Sequence, residues 1–271
     1  MKKIIALALA LVLCLSMFAA CGKKDAGATI AAQKGTTSLM YAQALNNIDL
    51  KSYDTFALAA NDMKNGNADY VFVDKTTAKA LCKEISGIKM IDIALSSENY
   101  GIGIDPNQAD LKTKIDNILT EKAAEIDAIK DKYMNGEEDK YVGVTSAAKD
   151  VSRAAQQLVV ATNAEFAPWE YKEGNKYYGI DMEIAQLIAT ELNLELVIDD
   201  MDFDMVVGAV GKQGVDIAMS GITITAERMN VINFSIPYYT EAIVAVCKAE
   251  DTSLDSVGTV VDMLSIICTA N

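Results

Sequence analysis

From Thr29 onward, short apolar strand-like runs alternate with helix-like runs, and after a lapse the alternation starts again at Leu158. "TIAAQ" reads as a strand, "TTSLMYAQAL" as a helix, "IDLKSYD" as a strand and "FALAANDMKNG" as a helix closed by Gly66. "ADYVFVD", "TTAKALCKEISG" (ended by Gly87) and "IKMIDIAL" continue as strand, helix and strand. Such a chain buries its apolar runs by parallel α/β packing, with helices laid on the faces of a sheet. "YGIGID" (100–105) looks like an extended crossing, and 107–134 carries Leu111, Ile115, Ile118, Leu119, Ala123, Ile126, Ile129 and Tyr133 at helical spacing. Residues 135–157 are small, charged and polar and read as a linker. The second series runs "LVVATN", then a helix "GIDMEIAQLIATELN" with Asp181 at its N-cap, then "LELVIDD", a helix near 204–212, and "VDIAMS". "VINFSIPYYTEAIVAVCK" is a second extended crossing. The pattern predicts two α/β lobes joined by two extended crossings.

Lys2 and Lys3 precede an uncharged apolar stretch from Ile4 to Ala20, so residues 1–20 read as a secretory signal peptide, being at the lower limit of length for a membrane span. "FAAC" at 18–21 resembles the lipobox of bacterial lipoproteins, with Phe18 where leucine is usual. That resemblance implies that Cys21 is lipid-modified, with more than one acyl chain as stable attachment needs. Residues 21–28 would be its tether. The expected location is the outer face of the bacterial cytoplasmic membrane, or the periplasm. Net charge is −14, and loss of residues 1–20 removes only Lys2 and Lys3 among charged residues, giving −16. A surface this acidic repels phosphate backbones and argues against nucleic-acid binding. The chain has no histidine, which excludes histidine-based triads and the usual histidine metal sites, and no GxxxxGK[ST] loop. No metal or cofactor is expected. Cys82, Cys247 and Cys268 form an odd set without CxxC spacing and read as buried small residues.

"MSGITITAERM" (219–229) follows "VDIAM", and ligands collect at the carboxyl ends of strands in open α/β sheets. Ser220, Gly221 and Thr223 stand at such an end. Thr225 can cap a helix begun by "AERMNVI", which puts Arg228 at its third position, where the dipole disfavours a cation by about 0.3 to 1 kcal/mol. An anion held between the guanidinium and the helix amides would offset that. A solvated arginine paired with Glu227 explains the residue equally well. Asp74 ends "DYVFV" and is either a ligand carboxylate or a helix cap. Thr36 and Thr37 in "QKGTTS" are donors or caps in the same way. Phe166, Trp169 and Phe203 are either core or the apolar wall of a small-molecule pocket. An anion clamp on one lobe and a carboxylate on the other suit a zwitterion such as an α-amino acid.

"LVVATNAEFAPWEY", "GIDMEIAQLIATELN", "VDIAMSGITITAER", "INFSIPYY", "IAAQKGTT", "NGNADYVFVD" and "YGIGI" resemble motifs of the extracellular polar amino-acid-binding proteins of ABC importers. The resemblance covers about 29–250. It implies the two-lobed type II periplasmic binding protein fold, α/β, each lobe a mostly parallel sheet flanked by helices. It implies that Arg228 grips the ligand α-carboxylate with Thr223 and Thr37 or Thr36, and that Asp74 takes the α-ammonium with groups near Ser220 and Gly221. Phe166 and Phe203 would sandwich the ligand and Asn163 would face its side chain. Many relatives carry an aspartate at the position of Asn163, which weakens the case for a cationic ligand. Partners implied are a free L-amino acid, an ABC permease and, through the anchor, a membrane; a monomer is expected.

The order of segments departs from the family, whose chains begin with the part resembling 158–248, continue through 29–104 and end with 107–134. A circular permutation is implied: 29–104 is the lobe on the ammonium side, 105–134 returns to the other lobe, 135–157 links, and 158–248 is the lobe on the carboxylate side. Residues 249–271 resemble nothing in the family. A rearranged gene product lacking transport function is an alternative. So is a dehydratase-like enzyme on the same fold, with Glu165 or Asp74 as acid or base. A sensor or adhesion module is a third.

Overall fold

The computed structural model describes residues 27–269. The expected signal peptide, Cys14 and Cys21 lie outside the described residues. The chain divides into two compact units, the first running to Ser96 and resuming at Ile243, the second being Ser97–Ala242.

The first unit begins β1 (Thr29–Gln33), α1 (Thr37–Gln43), β2 (Asp49–Tyr53), α2 (Phe56–Lys64), β3 (Tyr70–Asp74), α3 (Lys75–Glu84), β4 (Ile88–Ile91), as the alternation predicts. Thr36 and Thr55 start α1 and α2 by accepting the Leu39 and Leu58 amides. The second unit holds β5 (Glu98–Tyr100), β6 (Gly103–Ile104), α4 (Ala109–Glu121), α5 (Ala123–Met134), β7 (Gln157–Thr162) and β8 (Glu165–Phe166). It continues with β9 (Glu170–Glu173), β10 (Lys176–Tyr178), α6 (Ile180–Glu191), β11 (Glu195–Asp200), α7 (Phe203–Ala209), β12 (Ile217–Ala218), β13 (Asn233–Phe234) and β14 (Tyr239–Glu241). The chain then returns to the first unit with β15 (Ile243–Lys248) and α8 (Val260–Ile267).

Each unit is built on a five-stranded sheet, so the α/β class is the observed one. The first sheet has the order β2-β1-β3-β15-β4, parallel across β2, β1 and β3, with β15 antiparallel to both its neighbours. The second has the order β11-β7-β12-β6-β13, parallel across β11, β7 and β12, with β6 antiparallel. β5 and β14 pair as a separate antiparallel ribbon where the chain enters and leaves the second unit.

The units cut the chain differently from the expected lobes. β15, expected with 158–248, lies in the first sheet, and residues 97–104, expected with 29–104, lie in the second unit. The reason is burial: Ile243 to Cys247 is apolar on both faces and fully buried, so it needs a neighbour on each side and cover on each face. Residues 135–157 run along the second unit rather than free of it. Val144 bridges to Tyr177, the Ala147 amide donates to Leu196 O at 2.9 Å, and Ser146 Oγ accepts the Ile198 amide at 2.8 Å, which covers the edge of β11. The 249–271 tail contributes α8, capped by Thr259, whose Met263, Leu264 and Ile267 join Ile30, Phe72 and Ala245 in the first unit's core.

Asp181 is not the N-cap of α6. That position is held by Gly179 at φ +116°, where a Cβ would meet the Trp169 carbonyl oxygen at 2.2 Å. The Ile180 and Asp181 amides donate to the carbonyls of Pro168 and Trp169, and the Asp181 side chain turns inward.

Candidate functional site

In the second unit β12 ends at Ala218, and residues 219–223 continue from it as a fully covered loop. The loop is tied on both sides to residues near β5: the Gly101 amide donates to Ile222 O at 3.0 Å, and the Ile224 amide to Asn99 O at 2.8 Å. Gly221 sits at φ +53°, and a Cβ there would meet Phe166 Cε1 at 2.7 Å. Only glycine lets the Phe166 ring lie this close to the loop.

Arg228 follows. Thr225 Oγ1 accepts its amide at 3.2 Å, as expected of a cap, but the turn is a single 3-10 turn, Arg228–Asn230. The expected helix dipole therefore has no helix of useful length behind it. Two other contacts orient the guanidinium. Nη1 donates to the Thr223 carbonyl at 2.8 Å, and the group lies over the Phe203 ring, 5.7 Å from its centroid. At 9% exposure Arg228 is not a solvated surface arginine.

The hydroxyls expected to face a ligand have partners of their own. Thr223 Oγ1 donates to Glu98 Oε2 at 2.6 Å, joining two buried side chains. Ser220 Oγ donates to Glu170 Oε1 at 2.7 Å and accepts the Asn163 amide at 3.1 Å. Asn163 Nδ2 donates to the Met201 carbonyl at 3.0 Å, tying the end of β7 to the approach of α7. Trp169 is core, packed edge-on to Tyr100 at 4.9 Å and Tyr239 at 4.7 Å. The structure thus brings Asn163, Phe166, Phe203, Ser220, Gly221, Thr223 and Arg228 into one linked group.

Asp74, Thr36 and Thr37 belong to the first unit, at the carboxyl ends of the neighbouring strands β3 and β1. Asp74 occupies the N-cap position of α3, yet its side chain makes no capping bond, and it is buried. Thr36 does cap α1, and its hydroxyl also donates to Gln33 O at 2.7 Å. Thr37 is the first residue of that helix.

Four residues of the second unit were not found from sequence as parts of this group. Glu98 holds Thr223, Glu170 holds Ser220, Asp181 accepts the Gly221 amide at 2.8 Å, and Tyr238 donates to Asp181 at 2.7 Å. The signal was faint: three acids beside aromatic or glycine residues in "SENYG", "PWEY" and "YGID". A depression of about 510 Å³ between α5 and α6, lined by Glu125, Lys132, Glu183 and Glu191 among others, shares no residue with the Arg228 group.

Residues 158–259 match the family model of bacterial extracellular solute-binding proteins, family 3. The matched stretch contains the whole Arg228 group except Glu98, and does not contain Asp74, Thr36 or Thr37. The arginine-binding extracellular protein ArtP of Bacillus subtilis (strain 168) is 37% identical over 101 residues, 37% of this chain and 39% of that protein. The cyclohexadienyl dehydratase of Pseudomonas aeruginosa is 38% identical over 82 residues, 30% of this chain and 31% of that protein. A probable histidine-binding protein of Neisseria gonorrhoeae is 34% identical over 95 residues, 34% of this chain and 35% of that protein. The chain therefore spans less than two fifths of the length of these relatives. Among solved structures, the arginine-bound form of domain 1 from TmArgBP is 32% identical, with 45% of this chain and 95% of that one covered at a TM-score of 0.31.

Proposed function

We propose that this chain is an extracytoplasmic solute-binding protein that captures a free polar L-amino acid for an ABC import permease and performs no chemistry on it. The observation that carries this reading is Arg228, buried, aimed by the Thr223 carbonyl and the Phe203 ring, and lying within the stretch that matches the solute-binding family. A guanidinium held in this way is a preorganised partner for a carboxylate, because its orientation is fixed before the ligand arrives. In this reading Arg228 grips the α-carboxylate, Thr223, Ser220 and Gly221 shape the polar rim, and Phe166 and Phe203 supply apolar wall. Asn163 borders the ligand side chain. Asp74, Thr36 and Thr37 take part in ligand binding on the likeness of their motifs alone. The reading includes a lipid anchor at Cys21, a monomer, and permuted order of family segments.

Two of the relatives are named for arginine and histidine. L-Arginine and L-histidine are therefore the first probes in a thermal-shift screen of the chain from Cys21 onward, followed by the other common amino acids. One or a few are expected to raise the melting temperature, since a ligand that binds only the folded form stabilises it. Arg228→Ala should then weaken calorimetric binding by about 30-fold or more, since a desolvated carboxylate loses its partner. No shift with any amino acid from a folded chain, or a variant within threefold of wild type, rejects the reading. The dehydratase relative keeps one enzymatic alternative in view, and turnover of prephenate or arogenate that Glu165→Gln abolishes would favour it.

A further inference from the structure

The peptide group that aims Arg228 is itself held from behind. The Thr223 carbonyl accepts Arg228 Nη1 at 2.8 Å and shares one rigid plane with the Ile224 amide, which donates to Asn99 O at 2.8 Å. The two bonds leave that plane in opposite directions, so a tilt of the plane moves the point on which the guanidinium hangs. The side chain that carries this carbonyl is tied down as well. Thr223 Oγ1 donates to Glu98 Oε2 at 2.6 Å, and both side chains are buried. Glu98 and Asn99 are consecutive residues of β5, so one strand holds Thr223 twice, through its hydroxyl and through the peptide that follows it. Tyr100, the next residue of β5, bridges to Thr223, and its fully buried ring packs edge-on to Trp169 at 4.9 Å. The strand behind the loop is therefore anchored in the core.

We propose that Glu98 is a positioning residue for the binding site: its carboxyl group holds the Thr223 hydroxyl and thereby keeps the Thr223 carbonyl where it orients the Arg228 guanidinium. The effect on ligand affinity rests on the amino-acid-binding reading above; the hold on Arg228 does not.

Threonine suits this relay because two heavy atoms branch from its Cβ and make it stiff about χ1. Holding Oγ1 therefore fixes the orientation of the whole residue, its carbonyl included. The other contacts of Arg228 set different quantities. Thr225 Oγ1 accepts its amide at 3.2 Å and fixes the backbone, while the Phe203 ring covers the guanidinium at 5.7 Å from the ring centroid. The Thr223 carbonyl sets where Nη1 points. Without Glu98, the Thr223 hydroxyl loses this acceptor in a place that water scarcely reaches, and the loop gains by turning it elsewhere.

The test uses the chain from Cys21 onward and three variants. Glu98→Met keeps the length of the side chain and removes its oxygens, Glu98→Gln keeps an acceptor oxygen, and Thr223→Val removes the hydroxyl at nearly constant shape. Arg153 and Arg228 are the only arginines of the chain, so side-chain nitrogen NMR carries two sets of guanidinium signals, which Arg228→Lys assigns. Without ligand, the Arg228 signals should be resolved and slow to exchange with solvent in the wild type and in Glu98→Gln. In Glu98→Met and Thr223→Val they should collapse to the averaged, rapidly exchanging form. Glu98→Met should weaken calorimetric binding of the amino acid found in the screen by about 10-fold, the scale of one broken buried hydrogen bond, and Glu98→Gln by less than about threefold. Glu98→Met combined with Thr223→Val should bind within about twofold of the weaker single variant, since both remove the same bond. Unchanged Arg228 signals in folded Glu98→Met, or losses of affinity that multiply in the double variant, overturn the proposal. If Glu98→Met does not fold, unchanged signals in Thr223→Val overturn it equally. Signals as expected, with no amino acid bound, uphold the positioning role and reject the amino-acid reading.

Discussion

Arg228 could be found from sequence because a lone arginine just past a buried strand end invites the question of what it faces. The carboxylates that shape its loop could not. Glu98 meets Thr223 across 125 residues, Glu170 meets Ser220 across 50 and Asp181 meets Gly221 across 40, and no local spacing encodes such pairings. Asp181 looked like a helix cap because aspartate is favoured there, but Gly179 at positive φ takes that place and leaves the acid to face inward. This has a consequence for stability. Asp181 is raised by burial from 3.8 to about 6, so between about pH 4 and 6 the folded chain binds more protons than the unfolded one. Stability contributed by this group is therefore full at the acid end and is lost as pH rises through that window. Chemical denaturation of wild type and Asp181→Asn across pH 4 to 6 should show the falling component in the wild type alone. Equal slopes would mean that Asp181 ionises freely in the fold.

At the scale of elements, the alternation of strand and helix was legible because each run carries its own period and its own caps. Membership of a sheet was not: β15 is apolar on both faces and would satisfy either unit, so only the vacancy between β3 and β4 decides its place. The helix in the tail could have been found, since Val260, Met263, Leu264 and Ile267 stand at helical spacing after Thr259. It is structural rather than ornamental. The Ala28 amide donates to Ile267 O at 3.0 Å, Asn47 Nδ2 donates to Cys268 O at 2.7 Å, and Met263 is fully buried in the first core. Met263→Ala is expected to lower unfolding free energy by about 2 to 5 kcal/mol, the usual cost of emptying a packed methionine site. A loss under about 0.5 kcal/mol in urea denaturation, the range of surface changes, would mean that α8 is not part of the core.

For the whole molecule, the segment 135–157 joins α5 to β7 without being the only tie between them. Tyr133 donates to Glu183 Oε1 at 2.7 Å and accepts the Gly179 amide at 3.0 Å, Lys132 pairs with Glu183, and Lys122 pairs with Glu191 at 2.7 Å. A protease site introduced near Gly136, at an exposed turn, should give two fragments that co-elute under native conditions after cleavage. Separation of the fragments would show that neither the packing of α4 and α5 nor the pairing of β6 and β15 within their sheets holds without the covalent connection.

The return of β15 to the first sheet also bears on the order in which the molecule can be finished. The second unit is one unbroken stretch, Ser97–Ala242, and can complete its core as soon as its own last strand is made. The first unit cannot. When β4 leaves the ribosome, β3 and β4 have no strand between them, and the gap stays open through the synthesis of every residue up to Ile243. During that interval the nascent chain carries unpaired apolar strand edges, the feature most prone to pair with another chain. Its period of greatest exposure to aggregation and to chaperones is therefore set by the length of an intervening unit that takes no part in closing the gap.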